Sequence, residues 1–154
     1  MNWLLAVLLL LTIFEVCVST CRDGYDQIHN KCLSISKRIT THKNGEKECM
    51  ADGGHLVFIT NAIDNNAILQ YSSNISISSP MWIGMTCKTN KQPSKCEWDD
   101  GSIVDFNNFL PGYPVTNIGT CVYIDSSNQP LKGKWISANC ELNEFHVICE
   151  TSSI

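Results

Sequence analysis

The chain has 154 residues, 44% of them hydrophobic, which suffices for one hydrophobic core and is short for two. Its formal net charge is −4, the acidic residues are spread along its length, and no basic cluster is longer than Lys37-Arg38. Nucleic acid needs a concentrated positive face that displaces counterions from phosphates, so the composition argues against nucleic-acid partners.

In chain order, Trp3 to Phe14 is a nearly unbroken apolar run, closed by Glu15. It falls short of the roughly 20 residues that a membrane-spanning helix needs. It reads as the core of a secretory signal, with Cys17, Val18 and Ser19 as small residues for the peptidase. Cleavage after Ser19 predicts a signal peptide at 1–19 and a single domain at 20–154, secreted and extracellular. Cleavage after Thr20 is the second choice. An uncleaved anchor is the competing reading, but Cys21 follows with no stalk between, and no later segment is apolar and long enough to span.

The cysteines extend this. Of nine, Cys17 lies in the signal, which leaves Cys21, Cys32, Cys49, Cys87, Cys96, Cys121, Cys140 and Cys149. An even number in a secreted chain implies a disulfide framework, whose pairing spacing alone does not give. Zinc would want short Cys-x2-4-Cys pairs with histidine partners. Here at least eight residues separate each cysteine from the next, and His29, His42, His55 and His146 form no pair at metal or catalytic spacing. No metal or other cofactor is expected.

Turn signals at Asp23-Gly24 and Asn30-Lys31 predict a hairpin over 21–39. Residues 40–52 read as a helix capped by Thr40 or Thr41 and stopped by Asp52-Gly53-Gly54. His55 to Ile59 is a short apolar strand. Thr60 or Asn61 caps a second helix with Ile63, Ala67, Ile68 and Tyr71 on one apolar face, and Ser72 to Ser79 is a serine-rich loop. Short strands follow at Met81–Met85, Cys121–Asp125, Trp135–Ser137 and Phe145–Cys149, with His146 alternating outward. The polar stretch Asn90 to Lys95 and the turn Asp99-Asp100-Gly101-Ser102 lie between them. Asn107 to Gly119 has Pro111, Gly112 and Pro114 and almost no periodicity, and an irregular stretch of that length is usually functional. Two helices followed by antiparallel-type strands indicate an α+β class.

Residues 21–150 resemble a C-type lectin-like domain through an ordered set of matches. Trp82-Ile83-Gly84-Met85 is similar to that family's Trp-Ile-Gly-Leu strand. Trp98-Asp99-Asp100-Gly101-Ser102 is similar to its Trp-x-Asp-Gly-Ser turn, and Phe106 to Pro114 to the start of its long loop. Cys121, Trp135, Cys140 and Cys149-Glu150 follow in the family's order. The resemblance implies two helices and short antiparallel strands around a long irregular loop. It also implies the disulfides Cys49–Cys149, Cys121–Cys140 and Cys21–Cys32. Cys87 and Cys96 then remain as a fourth pair, an addition that resembles the nematode branch of the family, where roles near host defence are implied.

Many family members bind sugars through Ca²⁺, a hard cation wanting six to eight oxygens. This sequence departs from the implied ligand positions. The loop triplet is Tyr113-Pro114-Val115, no acid precedes Cys121 in Asn117-Ile118-Gly119-Thr120, and Ile136-Ser137 follows Trp135. We therefore expect no calcium at the usual sugar site, and read Asp64, Asp99 and Asp105 as scattered surface carboxylates. Candidate ligand contacts are Asn108, Tyr113, Pro114 and Asn117. Trp82, Trp98 and Trp135 are read as core. Asn74-Ile75-Ser76 is an N-glycosylation sequon. No catalytic motif is present, so the chain is not expected to be an enzyme. The expected function is extracellular recognition of a protein or glycan ligand. A calcium-independent lectin is one alternative, and a disulfide-rich inhibitor presenting Pro111 to Val115 is another.

Overall fold

A computed structural model describes residues 20–88 and 95–154. The expected signal at 1–19 and most of the polar stretch before Lys95 lie outside the described residues. Strands β1 (Asp26–Ile28) and β2 (Lys31–Ile35) form the expected hairpin. Helix α1 (His42–Ala51) follows, then β3 (His55–Leu56) and helix α2 (Ala62–Asn74). The second half contributes β4 (Met81–Lys88), β5 (Lys95–Trp98), β6 (Cys121–Ile124), β7 (Trp135–Ala138) and β8 (His146–Thr151).

The sheet runs β1-β2-β8-β4-β6-β7, with β3 added on β8 and β5 on β4. Parallel pairing joins β8 to β4, and the other strand pairs are antiparallel. The last strand therefore sits centrally between the N-terminal hairpin and the loop-bearing half. Thr20 and Ile154 exchange two backbone hydrogen bonds, so the two ends of the described chain lie together.

Four disulfides staple this arrangement: Cys21–Cys32, Cys49–Cys149, Cys87–Cys96 and Cys121–Cys140. Each ties elements the sheet already brings close. Cys87 and Cys96 face each other across β4 and β5, and Cys49 carries α1 onto β8. Helix α1 approaches β8 closely, for a Cβ at Gly45 would stand 2.7 Å from a Val147 methyl.

Several local expectations shift for tertiary reasons. Only His55 and Leu56 of the 55–59 segment pair as strand. Val57 instead donates to the Ile148 carbonyl and accepts from Gly84, bridging β8 to β4. Ile63 is 65% exposed rather than on the buried face of α2. That face consists of Asp64, Asn65, Ala67, Ile68, Tyr71 and Ser72, because polar residues at the start of the helix are drawn into hydrogen bonds. Asp64 is therefore not a surface carboxylate: its backbone N–H donates to Asn61 Oδ1 and its carboxylate accepts from Thr60 and Asn61. The helix runs on to Asn74, so part of the expected serine loop is helical, with buried Ser72 donating to the Leu69 carbonyl. Thr41 occupies the cap of α1 without a side-chain bond. His146 is half-buried, its Nδ1 donating to the Ser36 carbonyl.

Trp82, Trp98 and Trp135 all lie in the core. Trp82 packs with Cys49, Leu56, Cys121 and Val147, and its indole N–H donates to the Thr40 carbonyl at 2.9 Å. Trp98 and Trp135 join the larger cluster with Leu33, Val57, Ile68, Met85 and Ile148.

Candidate functional site

The long loop between β5 and β6 is organised around Trp135. Phe109 pairs with Trp135 in a parallel bridge, Leu110 N–H donates to the Trp135 carbonyl, and Trp135 N–H donates to the Asn108 carbonyl. Phe106 and Phe109 stand edge-on to the Trp135 ring, at 5.6 and 5.7 Å. Trp98 does the same from the other strand, at 5.9 Å. The indole N–H reaches Asn65 Oδ1 on α2 at 2.8 Å. One tryptophan thus fixes the loop, α2 and the sheet to each other.

The four candidate contacts separate in space. Asn108 is half-buried and spent inward: its amide donates to the Gly133 carbonyl at 2.8 Å, and its Oδ1 accepts from Lys134 Nζ at 3.2 Å. Tyr113 and Pro114, joined by a cis peptide bond, line a cleft of about 430 Å³. Its other walls are Lys95, Cys96, Ile103, Val104, Asn107 and Phe109. Asn117 is exposed in a separate cleft, with Ile118 and Glu141. Asn107 and Lys95 were not singled out from the sequence. Alternation in an aperiodic loop gives no sign of which of two adjacent asparagines turns outward.

Two of the positions that the resemblance implies for calcium ligands, Gly119 and Ser137, are packed against other parts of the chain. Ser137 Oγ accepts the Val115 N–H at 2.8 Å, so loop and β7 are joined directly. Gly119 lies against the end of β7, where a Cβ would come within 2.0 Å of the Ala138 backbone. No side chain fits there, carboxylate or other. Among the described residues, no group of three or more His, Cys, Asp or Glu is arranged to hold a metal ion.

A second group of chemically active side chains lies at the start of α1. His42, Glu46, Glu97, Asp99 and Glu141 line a pocket of about 340 Å³, with Lys43 at its edge. Asp99 is exposed as a residue, but its side chain is only 14% exposed and stands 3.9 Å from His42 Nε2, which donates to the Ile83 carbonyl at 3.1 Å. Burial, then the charges of Glu46 and Asp100, raise the Asp99 pKa to about 7. Burial lowers that of His42, against the Ile83 hydrogen bond and Glu46.

A raised carboxyl pKa means that the fold favours the protonated form. This stabilisation is complete below the ordinary value of 3.8 and is lost as pH rises to about 7. Buried neutral His42 works in the opposite sense: its contribution is present above 6.5 and is lost as pH falls through the lowered value. We predict that the melting temperature of Asp99→Asn falls less than that of the parent as pH rises from 3.8 to about 7. Parallel melting curves would rule out this role for Asp99.

A mixed sheet with two helices, four disulfides and a loop pinned over a strand tryptophan is the architecture of the C-type lectin-like fold. The chain belongs to the C-type lectin family: residues 39–151 match the model of the lectin C-type domain. Members of this family are non-enzymatic binding proteins for protein or glycan ligands.

The chain is 31% identical over 133 residues to snaclec agglucetin subunit alpha-1 of Deinagkistrodon acutus, covering 85% of this chain and 82% of that one. It is 27% identical over 134 residues to C-type lectin domain-containing protein 38 of Caenorhabditis elegans. That match covers 84% of this chain but 34% of the nematode protein, so the chain spans about a third of that relative. A solved calcium-independent type II antifreeze protein shares the fold, with a TM-score of 0.74 at 21% identity, covering 88% of this chain and 97% of that one. No helix among the described residues is long and apolar enough to cross a membrane.

Proposed function

We propose that this is a secreted recognition protein that binds an extracellular protein or glycan through its long loop without calcium. The observation that carries the reading is the direct bond from Val115 N–H to Ser137 Oγ, beside a Gly119 position that admits no side chain. Loop and β7 are held together there by the chain itself, where a calcium site would need carboxylate oxygens. Secretion is supported by the apolar run Trp3 to Phe14 and by four disulfides, which persist in oxidising compartments. Host defence is the setting that the nematode-like resemblance implies. In the same reading Asn74, exposed at the last residue of α2, carries an N-linked glycan.

The test is expression of the full chain in a eukaryotic secretory host. The expected product is secreted, begins at Thr20 and loses one glycan on glycosidase treatment. Its melting temperature is expected to be the same in millimolar Ca²⁺ and in EDTA, and its binding on glycan and protein arrays unaffected by EDTA. A calcium-dependent rise in melting temperature that EDTA reverses would overturn the calcium-independent reading.

A further inference from the structure

The cleft beneath Tyr113 and Pro114 differs in charge from the rest of the molecule. The chain carries −4 overall, yet Lys95 is the sole charged residue among the cleft's described lining. The nearest carboxylate on the same strand, Glu97, is already paired with Lys88 at 2.6 Å. The described walls are otherwise apolar or aromatic, Cys96, Ile103, Val104, Phe109, Tyr113 and Pro114, with the Asn107 amide among them. Ile103 is 80% exposed at the cleft, although its backbone is held by a bridge to Glu97. The volume of about 430 Å³ falls in the range typical of small-molecule sites.

Apolar walls and rings, one cation and one amide suit a particular ligand chemistry. Aromatic side chains favour contact with a flat apolar body. The ammonium offers three donors and a full charge to an acidic group at its edge. The exposed isoleucine gains by being covered. We propose that this cleft binds a small organic anion with a flat apolar body, the body lying on Tyr113, Phe109 and Ile103 and the acidic group meeting Lys95. The proposal rests on the reading of the long loop as the recognition surface and names the ligand class of one part of it.

The probe is 8-anilinonaphthalene-1-sulfonate, which joins fused rings to a sulfonate. Its fluorescence is titrated against the full secreted chain in EDTA, beside uncharged N-phenyl-1-naphthylamine. The expected result is saturable one-to-one binding of the anion. Lys95→Gln should weaken it roughly three- to tenfold, the scale of one charge-assisted contact at an exposed site. Lys95→Arg should retain it, and Ile103→Ser should weaken both probes. Lys37→Gln, a change of an exposed lysine elsewhere, should leave both unaltered. Lys95 is exposed, so its variants are expected to melt as the parent does. Absence of saturable binding overturns the proposal, as does equal loss in Lys95→Gln and Lys37→Gln. Because every titration is made in EDTA, failure here is separate from the calcium and array outcomes that test the broader function.

Discussion

Replacement of Trp135 by alanine is expected to destabilise the domain by about 3–5 kcal/mol, the usual cost of truncating a buried tryptophan. Trp135 is 0% exposed, and three aromatic rings stand edge-on to it. The variant removes those contacts and leaves Asn65 Oδ1 buried without the indole donor, which costs about a further 1–3 kcal/mol if water does not enter. The loop should suffer more than the sheet. The backbone bonds of Leu110 and Trp135 survive on paper, but the rings of Phe106 and Phe109 lose the surface that holds them. Urea unfolding gives the global loss, and amide exchange at Leu110 and Tyr113 gives the local one. Trp135→Phe should cost less, because it keeps an aromatic body and loses the donor. A global loss below about 1 kcal/mol in the alanine variant would mean that the ring does not organise the loop.

Removal of the Cys49–Cys149 bridge by double alanine substitution should cost about 2–5 kcal/mol. Its cysteines are 100 residues apart in sequence, against 11 for Cys21–Cys32. In the chain-entropy account the longer closure restrains the unfolded state more, although the dependence on length is only logarithmic. Burial acts in the same direction. Cys49 and Cys149 lie in the cluster around Trp82, whereas Cys21 is half-exposed. The expected order is therefore a larger loss for the long bridge than for the short one. Denaturant melts of the two double variants decide it, and an equal or greater loss from removing Cys21–Cys32 would contradict the argument.

The features legible before folding are those carried by residue type within a short window. The apolar run with its closing glutamate, the Trp-Ile-Gly and Trp-Asp-Asp-Gly segments, the glycine and proline punctuation of the loop and the cysteine order all belong here. The three tryptophans read as core because they sit in strand patterns, and they are buried. Ile63 lies off the inward row of its helix, and an apolar residue one position away from that row looks identical in the sequence to one on it. What moved the row was Asn65, whose amide is taken up by Trp135 and Gly133, partners about seventy residues away.

The candidate site divides along the same line. Tyr113 and Pro114 read as candidates because a tyrosine in a proline- and glycine-rich loop is seldom needed for packing, and both line the cleft. Asn108 looked equivalent, but its two polar atoms meet Gly133 and Lys134, which only the return of β7 brings alongside. The Asp99 pocket gave no signal, since Asp-Asp-Gly reads as a turn. Its altered chemistry comes from Glu46 and His42 on a helix some fifty residues earlier.

By itself, then, the sequence determined a cysteine-rich α+β scaffold and the absence of carboxylates at the implied calcium positions, since both depend on which residues are present. Tertiary structure decided which loop residues line the cleft, why Gly119 can carry no side chain, and where Lys95 stands. Those properties depend on which distant backbones approach each other, and proximity between segments far apart in the chain is not written in any one of them.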